Sequence, residues 1–82
     1  MKRRQQRVHL FDPYSLVVIG AHGGLRQLFT PFRVQCRVGV DKIPEGAWVY
    51  VDAVHMHPSF LILYQVHQRL YPYHYFRIHI TF

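Results

Sequence analysis

Ala47-Trp-Val-Tyr-Val-Asp-Ala-Val-His-Met-His57 reads as one long β-strand with a single fault in it. Side chains alternate across a strand, so Val49 and Val51 share a face. Val54 and Met56 fall out of phase with them. A β-bulge near Asp52-Ala53 adds one residue and restores the inward register. With that bulge, Trp48, Tyr50, His55 and His57 all face outward.

The flanks carry the same signal. Phe32-Arg-Val-Gln-Cys-Arg-Val-Gly-Val40 alternates without a slip, with Phe32, Val34, Cys36, Val38 and Val40 inward and Arg33, Gln35 and Arg37 outward. Asp41 to Gly46 is a connecting loop with turn chemistry at Pro44 and Gly46. Phe60 to His67 is apolar on both faces and reads as a central strand. Leu70-Tyr-Pro-Tyr-His74 is read as an irregular or 3₁₀ segment, and Tyr75 to Phe82 as the last strand. Upstream, Arg7–Phe11 and Leu16–Ile19 are strands joined by a turn at Asp12-Pro-Tyr-Ser15. Gly20 to Gly24 is a bend that needs positive φ. Leu25, Leu28 and Phe29 fall on one face at helical spacing, so a short helical turn is expected at 25–29.

Eighty-two residues form one domain. A disordered basic arm is expected over residues 1–6 and a single small β-barrel over 7–82. Five or six short strands, sharply bent, are most economically closed as a barrel. No stretch approaches the ~20 apolar residues of a membrane span. The single cysteine, Cys36, excludes an internal disulfide and a cysteine zinc cage. A cytoplasmic location is expected.

The run Lys42-Ile-Pro-Glu-Gly-Ala-Trp-Val-Tyr-Val-Asp-Ala-Val54 resembles the middle of SH3-like barrels. There a Pro/Gly loop precedes a G-x-x-V-x-V-x-x-V/I strand whose last apolar residue follows a bulge. Leu61-Ile-Leu-Tyr-Gln-Val66 and Leu70-Tyr-Pro-Tyr-His-Tyr-Phe76 look like that superfamily's late strand, 3₁₀ turn and closing strand. The resemblance implies an all-β, SH3-like barrel and leaves the ligand open. The acidic loops of peptide-binding SH3 domains are absent here.

Charge narrows the partner. Ten basic residues against four acidic give a formal charge of +6. Eight of the ten are Arg, whose planar fork suits phosphate and stacks on rings. Seven histidines would raise the charge to +13 (6 + 7) if all were protonated, so polyanion binding should strengthen toward acid pH. The outward set joins Arg33 and Arg37 on one strand, Trp48 and Tyr50 on the next, and Arg77 and His79 on the last. Rings that stack bases, interleaved with guanidinium groups that meet phosphates, are what single-stranded nucleic acid requires. Lys2, Arg3, Arg4 and Arg7 would add phosphate contacts. The same residue types are also the usual anchors of protein interfaces. A protein-interaction module using this face, a homodimeric adaptor being one form of it, is therefore the alternative.

Other motifs point elsewhere. His55-Met-His57 places two imidazoles on one strand face, as a metal site would. The pair lacks a fixed third ligand, so no metal or other cofactor is expected. Gly20-Ala-His-Gly-Gly-Leu-Arg26 lacks the Lys-Ser/Thr of a phosphate-binding loop and reads as a tight turn. Tyr71-Pro-Tyr-His-Tyr75 reads as an aromatic plug of the core. Cys36, on an inward face, is a core thiol, and Ser15 and Ser59 have no base at recognisable spacing. The expectation is a small basic binding protein without catalysis.

Overall fold

The computed structural model describes residues 7–59 and 61–80. Its strands are β1 (Arg7–Asp12), β2 (Ser15–Ile19), β3 (Leu25–Phe29), β4 (Phe32–Cys36), β5 (Trp48–Val51), β6 (Ala53–Met56), β7 (Ile62–Val66), β8 (Arg69–Pro72) and β9 (Phe76–Arg77), with a 3₁₀ turn at Tyr73–Tyr75. They form three antiparallel sheets of three strands each: β1-β2-β3, β5-β4-β9 and β6-β7-β8. The chain is all-β. The described strands do not close into a barrel.

β5 and β6 are one strand, broken at Asp52. The Asp52 N–H donates to the Gln65 carbonyl at 2.9 Å, and Ala53 also pairs with Gln65. Two residues thus oppose one, which is a bulge, and the strand turns from the second sheet into the third. Val49, Val51 and Ala53 are buried, then Val54 is buried immediately after Ala53. That pair of neighbouring buried residues marks the change of face. Met56, expected inward, is 45% exposed, because β6 has run past the end of the core.

Three other expectations are corrected. Residues 25–29 are strand β3, not a helical turn. Leu25, Leu28 and Phe29 fit a helical face, but pairing along β2 from Ser15–Phe29 to Ile19–Leu25 decides the conformation. β4 stops at Cys36, so Val38 is 54% exposed instead of inward. Arg69–Pro72 is a strand, and the last strand among the described residues is the short Phe76–Arg77. The inward–outward alternation nevertheless continues, with Ile78 buried and His79 exposed.

One core joins all three sheets. Leu16 and Val18 of β2 belong to the same buried cluster as Val34, Val51, Val54, Tyr64 and Phe76. The β1–β2 turn is fastened to β6 by the Val54 N–H, which donates to the Pro13 carbonyl at 2.8 Å. Tyr64 is the largest fully buried side chain. Its ring meets Phe32 edge-on at 5.7 Å and lies 6.0 Å from Phe76. Tyr71 is buried, and Tyr73 and Tyr75 pack on the core, so this segment does fill the interior. Several turns take the left-handed region, among them the Gly20–Gly24 bend, where Gly23 has φ +90°. Gly46 has φ +89° where the Ala47 N–H closes a turn on the Pro44 carbonyl, and His67 and Gln68 have φ +52° and +66° in the two-residue β7–β8 hairpin.

Leu16 is wholly buried although it lies in the N-terminal sheet. Leu16→Ala should therefore cost about 2–5 kcal/mol and lower a single unfolding transition. Urea denaturation followed by circular dichroism reads this, and a separate early transition would show that the first sheet is not part of the common core.

Two phenols make stability fall in alkali. Burial, and then neighbouring Tyr73, push the Tyr64 phenol far above its usual range. The hydrogen bond to Asp41 (2.8 Å), and then burial, raise Tyr71. A phenol whose folded pKa lies above its unfolded value, about 10, contributes stability that is complete below pH 10 and lost as pH rises through the folded value. Denaturation midpoints at pH 8 and pH 11 should show this loss, and Tyr71→Phe should shrink it.

Candidate functional site

The outer face of β5-β4-β9 gathers the outward residues that the alternation identified. In the β4–β5 register Arg33 stands opposite Tyr50 and Gln35 opposite Trp48, while across β4–β9 Gln35 stands opposite Arg77. Arg33 reaches diagonally, and its guanidinium carbon lies 4.3 Å from the centre of the Trp48 ring. That is a cation–π stack. The other neighbour of Trp48 is His79, whose ring centre is 4.9 Å away and tilted by 50°. Trp48 and Tyr50 keep 44% and 57% of their surface exposed, so neither is hidden in the core. Arg33, Arg77 and His79 are also exposed.

Gln35 is the residue that holds this face together, and its sequence signal was only its parity with Arg33 and Arg37. Its Nε2 donates to the Gly46 carbonyl at 3.1 Å, and its Oε1 lies 2.8 Å from His79 Nε2. The amide thus ties the 37–47 loop to the segment that follows β9 and sets His79 against Trp48. Arg37 lies apart from the stack. It is half-buried, and its Nη1 is 3.4 Å from the His74 carbonyl, where it can donate to the 3₁₀ turn. Beside it is a shallow polar pocket of about 260 Å³ lined by Gln35, Arg37, Glu45, Gly46 and Arg77. Two arginines and one glutamate thus contribute to its lining.

The remaining candidates separate from this face. Lys2, Arg3 and Arg4 lie outside the described residues, and so does the side chain of Arg7. His55, expected to face outward, is half-buried, with Nε2 3.0 Å from Gln65 Oε1. His57 is turned into a local hydrogen-bonded turn, its Nδ1 2.8 Å from Ser59 Oγ and accepting from the Ser59 N–H at 3.1 Å. The two imidazoles thus serve different partners. Among the described residues, no three His, Cys, Asp or Glu side chains are grouped as a ligand set. The Gly20 and Gly23 N–H groups are engaged with Gly24 and Gly20 carbonyls inside the turn, which is the tight-turn reading. Cys36 is buried, and its thiol donates to the Val38 carbonyl at 3.0 Å. No helix among the described residues is long and apolar enough to cross a membrane.

Compared with protein-family models, with curated proteins and with solved structures, the chain matches none at a significant level.

The Arg33–Trp48 stack should be measurable as a coupling. Arg33→Ala, Trp48→Ala and the double variant, compared by urea denaturation with circular dichroism as the probe, should give a coupling of about 0.5–1 kcal/mol. A value near zero would mean that the two side chains merely lie close.

Proposed function

We propose that this face binds single-stranded nucleic acid and that the protein is a non-catalytic, cytoplasmic binding module. The observation that carries the reading is the stack Arg33–Trp48–His79 with Tyr50 beside it. Flat surfaces stand exposed there, next to guanidinium groups. A base can stack on an exposed ring whatever its sequence, while Arg33 and Arg77 meet the phosphates on either side. Arg37 and Arg77 at the polar pocket offer a second place for a phosphate. The N-terminal Lys2, Arg3, Arg4 and Arg7 add sequence-independent charge.

On this reading the fold is an SH3-like barrel preceded by an extra three-stranded sheet. Following the shared bent strand, the order runs β9, β4, β5 into β6, β7, β8, which supports a five-stranded meander coiled toward a barrel. The 3₁₀ turn between β8 and β9 also fits. Barrels of this kind commonly take ligands on the strands and loops of one side.

Salt separates nucleic acid from a protein partner on the same face. Filter binding to a labelled single-stranded oligonucleotide should give a slope of log affinity against log salt of about −0.7 per phosphate contacted. Trp48→Ala should weaken binding by about 1–3 kcal/mol. Arg77→Ala should flatten the salt slope. An absence of binding at about 50 mM salt would remove the reading. A partner held with little salt dependence would point to a protein interface instead.

A further inference from the structure

We infer that the protein self-associates by pairing strand β3 with β3 of a second copy. β3 has β2 on one side only. Its residues Leu25, Arg26, Gln27 and Phe29 are exposed, Leu25 and Phe29 at 64% each. Among the described residues, no strand or loop backbone is bonded to its outer edge.

The hydrogen-bond phase fixes what that edge offers. The Gly20 N–H donates to the Gly24 carbonyl at 2.7 Å, and the Thr30 N–H to the Tyr14 carbonyl at 3.0 Å. These two pairs bracket the β2–β3 register, which runs through Leu28–Leu16 and Arg26–Val18. Bonded and non-bonded pairs alternate along an antiparallel ladder. Gly24, Arg26, Leu28 and Thr30 therefore bond inward to the β2 side, and Leu25, Gln27 and Phe29 turn their N–H and C=O groups outward. An edge with alternate groups free takes another extended strand.

The sequence of β3 selects a second copy. An antiparallel two-fold centred on Gln27 sets Gln27 against Gln27 and Leu25 against Phe29. In that register every outward N–H and C=O of the three residues meets its complement. The same register packs Leu25 of each copy on Phe29 of the other, both on the outer side of the sheet. The single charge, Arg26, stands opposite Leu28 and not opposite its own copy. The edge carries no proline and no bulge. Five residue pairs bury less than the usual specific interface, so the dimer should be weak, dissociating in about the 10–500 µM range. It does not depend on the nucleic-acid reading, since β3 is not part of the Trp48 face.

Sedimentation equilibrium of the full chain from about 10 µM to about 1 mM tests it. The salt is held near 0.5 M, so that a bound polyanion cannot mimic association. A reversible monomer–dimer equilibrium is expected. Gln27→Pro removes an outward N–H while leaving the β2 ladder bonds intact, and should give a folded monomer at every concentration. Gln27→Cys should form a disulfide-linked dimer under mild oxidation, since directly bonded pairs have Cα atoms about 5.5 Å apart. Arg26→Cys, out of register with its copy, should cross-link far less. Three results would overturn the inference: a wild-type chain monomeric at about 1 mM, a folded Gln27→Pro variant that still dimerises, or equal cross-linking at positions 26 and 27. If Gln27→Pro does not fold, the two cysteine variants decide.

Discussion

The two residues Asp52 and Ala53 opposite the single residue Gln65 are the constraint on which the rest depends. A strand running straight through this point would keep one parity. Val49 and Val51 would then be buried at the cost of exposing Val54. The bulge lets all three face the core, and it turns the chain so that β5 and β6 can lie in two different sheets. Adjacent burial of Ala53 and Val54 is its signature. Asp52 suits the hinge: its side chain is exposed, and its N–H is satisfied by β7. The N-terminal sheet then locks onto the bent strand through Pro13 and Val54, so the fault that permits the bend also supplies the seam between the sheets.

The candidate face follows from the half of that strand before the fault. Because Val49 and Val51 are inward, Trp48 and Tyr50 must be outward, opposite Gln35 and Arg33. Exposed rings of this size are costly in water, and contacts with Arg33 and His79 reduce the cost at Trp48 while 44% of its surface stays exposed. Arg33 rises from mid-strand beside the ring, and His79 is held by Gln35, which is itself tied to Gly46. The result is a partly pre-ordered surface with exposed ring area, and pre-ordering lowers the entropy lost on binding.

How much of this was legible in the sequence depended on whether a residue answers to local or distant partners. Alternation is local, so the inward and outward assignments of 32–36 and 48–54 could be read, including the bulge, and the two apolar faces of 62–66 marked it as a central strand. Strand ends are set by pairing with remote segments. Val38 is out of the core because β4 loses its partner after Cys36, and Met56 because β6 outruns the interior. Neither fact has a local cue. In the site, the residue types of Arg33, Trp48, Tyr50, Arg77 and His79 were visible. The organising role of Gln35 was not, since it arises from contacts 11 and 44 residues away along the chain. The bond of His55 to Gln65 had no local cue either, its partner lying on the neighbouring strand.

The segment 25–29 failed most completely, and the physical cause bears on what it does. Leu-Arg-Gln-Leu-Phe has too few buried positions for the strand period to show, and its apolar spacing imitates a helix: only Leu28 is partly covered, and the rest are exposed. A strand that packs on a core declares itself by alternation, whereas one that packs on little does not. The chain guards another edge in recognisable ways, since β8 carries Arg69 and ends in Pro72, a residue that cannot donate to an added strand. On β3 the large apolar side chains sit beside free backbone groups, with one arginine between them. An edge so composed raises the risk of association in a monomer. The contrast with the guarded edge of β8 fits association, limited by a short strand and a self-complementary register, as what the β3 edge is for.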